Sequence, residues 1–281
     1  MGKWYNKLFV GNPNKPDFTV KDLPKTRFEQ FIDVIRQHFS SMVLANLMYA
    51  LFSIPLLMWA MFYWFAMTQT DELTAQNLLL GEGSTLWMFL AVCIPLYAIM
   101  GPAKAGLHYC LRNWTWNERA TVSDHFWKEF KRSFWKAFAI NLINGMLFFA
   151  GLWWMALCVM NIESMPIMRV FAIIIGIVLL TYFISSIYHF PQLVTYNLSL
   201  KQIFKNSFIY TVAQLPRTLL AVIIYIAFAA ICIILYKVLL VVVMSMGMSF
   251  VYLGQTVYSN FLFDKYNNEP DKRRRGMAPL E

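Results

Sequence analysis

Six long apolar runs dominate this chain, at residues 41–67, 86–111, 137–160, 167–190, 217–236 and 238–263. A stretch of about 20 helical residues crosses the hydrocarbon core of a bilayer, and each run reaches about that length. Lipid offers a peptide group no hydrogen-bond partner, so runs of this kind are helices. The predicted fold class is an all-α membrane protein with six transmembrane helices. Hydrophobic residues make up 59% of the chain and charged residues 14%, a balance that leaves no second soluble domain. The expected organisation is a basic segment 1–40, a membrane domain 41–263 and a basic tail 264–281. Residues 1–40 hold no apolar signal-like core, so the first span is expected to direct insertion.

Basic residues set the orientation. Of the 24 Lys and Arg side chains, 21 fall in alternate segments: before the first span, around 112–136, around 191–217, and in the tail; Lys104, counted with the same side, makes 22. The intervening loop 68–85 has none and carries Asp71, Glu72 and Glu82. Lys and Arg mark cytoplasmic loops, so both termini are expected in the cytoplasm. Tryptophans support the same levels, with Trp59, Trp64, Trp87, Trp153 and Trp154 outside and Trp114, Trp116, Trp127 and Trp135 inside. The formal net charge of +9 is spread beside spans and faces the lipid bilayer, which argues against nucleic acid as a partner.

A short pattern recurs before three of the spans. It reads Ile35-Arg36-Gln37-His38-Phe39, then Phe130-Lys131-Arg132-Ser133-Phe134, then Phe204-Lys205-Asn206-Ser207-Phe208. In that register Asn46 aligns with Asn141. Aromatic residues at helical spacing within 121–136 and 199–213 predict amphipathic helices lying along the cytoplasmic interface. The spans then pair as three hairpins, each introduced by an interfacial helix. Convergence of any cytoplasmic leader on basic and aromatic residues accounts for the pattern equally well.

The second span is the least regular. Pro95, Gly101, Pro102 and Gly106 predict a bend or break, because proline lacks an amide donor and glycine tolerates unusual dihedrals. Lys104 and His108 lie within it. Two readings of Lys104 stand: a side chain snorkelling to headgroups, or a cation lining a cavity. Asn46, Asn141, Asn144, His189 and Gln255 are the other polar candidates in the cytoplasmic halves of the spans. They fit interhelical hydrogen bonding, or a vestibule shared with Lys104 and His108.

Catalytic machinery is missing from the sequence. It has no phosphate-cradling glycine loop, no His-Glu-x-x-His, no Cys-x-x-Cys and no Gly-x-Ser-x-Gly elbow. Cys93, Cys110, Cys158 and Cys232 all fall in apolar runs without paired spacing, and the four histidines are scattered, so neither a metal nor a cofactor is expected. Asn113-Trp114-Thr115 and Asn197-Leu198-Ser199 match a glycosylation sequon but face the cytoplasm in this topology. An enzyme is not expected.

Two stretches carry a family resemblance. Gly101-Pro102-Ala103-Lys104-Ala105-Gly106-Leu107 runs through Arg112-Asn113-Trp114 and Glu118 to Val122-Ser123-Asp124-His125-Phe126-Trp127 and Phe130-Lys131. Pro191-Gln192-Leu193-Val194-Thr195-Tyr196 leads to Leu200-Lys201-Gln202-Ile203. Together, over roughly 27–263, the chain resembles the YesL-like family of bacterial membrane proteins, a domain of unknown function. Lys104 departs from the smaller or apolar residue expected there. The resemblance implies a bacterial plasma membrane protein found in the context of carbohydrate uptake, beside sugar importers of the ATP-binding-cassette (ABC) type. It transfers no site residues. Two functions follow as expectations. One is a non-enzymatic accessory or regulatory subunit that contacts importer permease subunits; the alternative is a stand-alone small-solute transporter or channel. A scaffold without a ligand is a third reading.

Overall fold

A computed structural model describes residues 26–69, 85–116, 118, 120–216 and 247–268. All regular structure among them is helical. The helices are α1 (Arg27–Thr68), α2 (Leu86–Thr115), α3 (Val122–Arg132), α4 (Phe134–Met160), α5 (Met168–Ser186), α6 (His189–Thr195), α7 (Leu200–Ala213) and α8 (Met248–Phe263). A single π-helical turn, Asp264–Asn268, follows α8.

Four segments are long and apolar enough to cross a membrane: α1, α2, α4, and α5 with α6 taken together over Met168–Thr195. The six expected spans are thus matched by four among the described residues. The fifth apolar run, 217–236, lies outside them. Of the sixth, 238–263, only the part from residue 247 is described, and α8 is 16 residues long. Large apolar side chains cover the outside of the long helices. Leu51, Met58, Met61 and Phe62 on α1 and Ile173, Ile177 and Val178 on α5 are each 60% exposed or more. In water such a surface would drive aggregation; in hydrocarbon it is the solvated face.

The first helix begins earlier than the apolar run, at Arg27, and turns at His38 (φ −120°, ψ 22°). That position is the first member of the recurring pattern. The second member, Ser133, takes nearly the same conformation (φ −101°, ψ 10°) between α3 and α4. The correspondence extends well beyond five residues. Thr26 and Thr121 stand as N-caps 12 residues before each break. Met42, Ala45, Asn46 and Tyr49 are buried, and so are the residues 95 positions later, Ala137, Ile140, Asn141 and Asn144. The third member departs. Ser207 stays inside α7, buried as the acceptor of a 2.7 Å hydrogen bond from Gln192, and the chain turns only at Gln214 (φ −128°, ψ 31°).

Both predicted short helices form. In α3 the buried stripe is Val122, Phe126 and Glu129; in α7 it is Ile203, Ser207, Tyr210 and Thr211. This i, i+4, i+7 spacing is that of a helix with one face packed and one free. A capping box closes the start of α7, Ser199 and Gln202 each satisfying the other's backbone amide.

α2 lies at the centre and packs against α1, α3, α4, α6 and α8. It is one continuous helix through Pro95, Gly101, Pro102 and Gly106, so of the expected bend or break the break does not occur. Its glycines serve packing instead. A Cβ at Gly101 would overlap the backbone carbonyl of Ala137, and one at Gly106 would lie 2.9 Å from the Phe126 carbonyl oxygen. Glycine here lets α4 and α3 approach at backbone distance, as small residues do between membrane helices.

Candidate functional site

The polar residues of the spans divide into ties and walls. Asn46 ties α1 to α8, its Oδ1 accepting from the Ser249 backbone N–H at 2.9 Å. Asn141 ties α4 to α2 by donating to the Tyr97 carbonyl at 3.0 Å. Each contact satisfies a polar atom that hydrocarbon would leave unpaired, although Asn141 Oδ1 has no partner among the described residues.

Lys104, Asn144 and Gln255 converge instead on one cavity of about 230 Å³. Its walls are Tyr97, Phe148, Phe149, Tyr182, Phe183, Ser186, Ile187 and Tyr252, contributed by α2, α4, α5 and α8. Asn144 is fixed there by the Tyr182 hydroxyl, which donates to its Oδ1 at 2.6 Å. Lys104 is the only charged residue in the lining among the described residues. Its Nζ sits over two rings, 4.7 Å from the centroid of Phe190 and 4.9 Å from that of Tyr252. Ring faces attract an ammonium group through their negative quadrupole, which partly replaces the lost water. Lys104 thus stands in the lining of the cavity, between these two rings.

Tyr252 is held in place from behind. Its hydroxyl lies 3.2 Å from that of Tyr49, and the two rings meet edge to face. One turn beyond Lys104, His108 packs against the other side of the same ring cluster, 4.9 Å from Tyr252 and 5.8 Å from Phe190. The Thr256 hydroxyl donates to the Tyr252 carbonyl at 2.8 Å, so its contact with His108 Nδ1 at 3.1 Å makes Nδ1 the donor. Nε2 of His108 is then a bare acceptor, buried and without a partner among the described residues. His189 lies apart from the cavity lining. Its ring contacts Phe204 at 4.5 Å and Tyr182 at 6.0 Å, and neither ring nitrogen has a partner among the described residues.

Of the seven polar candidates, the structure thus brings three into one chamber. His108 stands next to it, Asn46 and Asn141 serve as ties, and His189 packs against α7. Sequence reading missed the aromatic walls. Phe148-Phe149 and Tyr182-Phe183 give no signal that separates them from lipid-facing rings elsewhere in the same helices. No cluster of His, Cys, Asp and Glu among the described residues could hold a metal. Cys93, Cys110 and Cys158 are buried free thiols, and Cys232 lies outside the described residues.

Residues 83–155 match a family model described as protein of unknown function, DUF624, and the YesL-like resemblance read over 27–263 agrees with that match. The matched stretch holds α2 to most of α4, and with them Lys104, His108, Asn141 and Asn144. No curated protein and no solved structure matches the chain.

Proposed function

Taking as premise a membrane protein whose residues 83–155 carry the DUF624 match, we propose a non-enzymatic accessory or regulatory subunit for bacterial carbohydrate uptake, working beside an ABC-type importer. One observation carries the non-transporting part of this reading. Asn46 Oδ1, the amide N–H of Asn141 and the His108 Nδ1–H are engaged in contacts between helices, and the described spans show one chamber and no chain of polar groups through the bilayer. A carrier needs polar groups facing one another across the full depth. The importer context rests on the YesL-like resemblance.

In this reading the protein has six spans in three hairpins, and α3, α7 and the part of α1 before His38 lie along the cytoplasmic interface. Both termini are cytoplasmic. Cysteine-accessibility labelling of a cysteine-free protein tests the orientation, and labelling from outside at any position within 112–136 would defeat it. Affinity purification of the tagged protein in mild detergent, with mass spectrometry, tests the partnership. Recovery of ABC permease subunits is the expected result; recovery of the protein alone counts against it.

The chamber beside Lys104 favours a second reading, a stand-alone carrier for a small anionic solute. Reconstitution into proteoliposomes separates the two, since only a carrier would accumulate or release solute without other proteins.

A further inference from the structure

A second cavity, of about 650 Å³, opens beside the far end of α2. Three cations from three helices line it: Arg112 from the last turn of α2, Arg132 from the last turn of α3, and Lys136 from the first turn of α4. The turn at Ser133 is what places Arg132 and Lys136 on the same cavity, although they belong to different helices. Arg112 and Arg132 share one ring, their guanidinium carbons lying 5.6 Å and 5.7 Å from the centroid of Tyr109. Arg112 is also stacked on Trp116 at 3.8 Å.

Negative charge here is scarce. Glu129 is buried and paired with Arg132 at 2.9 Å, and Glu118 is near enough to Arg112 to interact with it electrostatically. Three cations thus face two carboxylates, of which only Glu129 is in ion-pair contact among the described residues. Hydrogen bonding leaves donors over as well. A guanidinium has five N–H groups. Arg112 uses one on Asn113 Oδ1 at 3.3 Å, and its buried Nε has no partner among the described residues. Lys136 is steadied by the Leu198 carbonyl at 3.1 Å and Asn197 Oδ1 at 3.4 Å. Such an arrangement differs from lysines that reach loosely towards headgroups. The aromatic stacking and backbone contacts hold the charges in position before any ligand arrives.

We propose that this cleft binds a phosphate group, either the headgroup of an anionic phospholipid or free phosphate. Planar guanidinium forks match phosphate oxygens in pairs, and a nearby ammonium adds a point charge. Trp135 stands at the cleft with its side chain turned outward, 77% exposed, as tryptophan does at headgroup depth. This site is separate from the Lys104 chamber and independent of the accessory reading.

The full-length protein, delipidated in detergent, would be loaded with phosphatidylglycerol and examined by native mass spectrometry. One retained lipid per chain is expected. Arg112→Gln and Lys136→Gln should each weaken retention about tenfold, the loss of one or two charge-assisted hydrogen bonds. Lys201→Gln with Lys205→Gln, on α7 and outside the cleft, should leave it unchanged. Lys136→Gln alters a side chain at the cleft surface and keeps the test independent of folding. A parallel titration with inorganic phosphate distinguishes the sources. Displacement of the lipid at millimolar phosphate assigns the site to free phosphate, and persistence of the lipid assigns it to the headgroup. Wild-type protein that binds neither, or retention equally weakened by the α7 variant, would overturn the proposal.

Discussion

The chamber at Lys104 and the cleft at Arg112 lie two turns apart on the same helix, about 12 Å along its axis, yet they treat charge in opposite ways. Among the described residues the chamber has a single cation, held by two ring faces, with no carboxylate in its lining. The cleft gathers three cations, supports them with ring faces, the Leu198 carbonyl and a paired Glu129, and leaves donors over. Between the two, the difference is access to water. Towards the middle of a span every polar group must be matched inside the protein, so amides become ties and an unmatched charge stands out. At the end of the span, water and headgroups share that burden and several charges can assemble. Lys104 is the charged exception to the inner rule among the described residues, which makes it the more informative of the two sites.

The largest effect should come from the wall that both sites share. Gly101 allows α4 to touch α2, and α4 contributes Asn144 and Phe148 to the chamber and Lys136 to the cleft. Gly101→Val drives a side chain into the Ala137 backbone, which cannot rotate away. Overpacking of this kind should cost about 3 kcal/mol or more. Expected is a loss of monodisperse protein in size-exclusion chromatography, while Gly176→Val, where a Cβ meets nothing within 4 Å, should behave like wild type. Normal folding of Gly101→Val would break the link between the two sites.

A smaller effect separates ties from cleft residues. Asn141→Leu removes the donor to the Tyr97 carbonyl next to the chamber and should lower stability by about 1 kcal/mol. Asn46→Leu should do the same through Ser249. Lys136→Gln, at the exposed cleft, should shift stability by less than about 0.5 kcal/mol. Thermal melts in detergent would compare all three. Equal losses would mean that the cleft cations are structural and would sharpen the contrast out of existence.

How much of this was legible beforehand follows the same division. Apolar runs located α2 and α4 within a few residues, because a bilayer imposes length and hydropathy on any sequence that crosses it. The pairing of Asn46 with Asn141 was legible from a five-residue register, and the matching turns at His38 and Ser133 give it a physical basis. At Pro95 and Pro102 the helix is unbroken. A proline removes one hydrogen bond but need not interrupt a helix enclosed by neighbours, and α2 is packed on several sides. The glycines pointed to unusual dihedrals, whereas the structure uses their missing side chains. The chamber itself could not be read from the chain, since its rings become walls only when α2, α4, α5 and α8 come together. Likewise Arg112, Arg132 and Lys136 counted only towards topology, because their convergence depends on the turn at Ser133.

The smallest expected effect on stability belongs to Lys104→Met, and it tests the chamber most directly. Lysine here makes no ion pair among the described residues; what it gains is attraction to the faces of Phe190 and Tyr252, worth about 0.5–2 kcal/mol. Against this stands the cost of keeping an ammonium in an aromatic enclosure, which is at least as large. Methionine has nearly the same length, fills the space between the rings and makes favourable contacts with them. Its melting temperature should therefore equal or exceed that of wild type. If the charge has no use, the variant should also match wild type in complex formation and in uptake. If the chamber holds an anionic ligand, Lys104→Met should remain folded and lose that activity, and Lys104→Arg should recover part of it. A variant that melts well below wild type would show that the charge is needed for the fold, and the chamber would then be one more tie between helices.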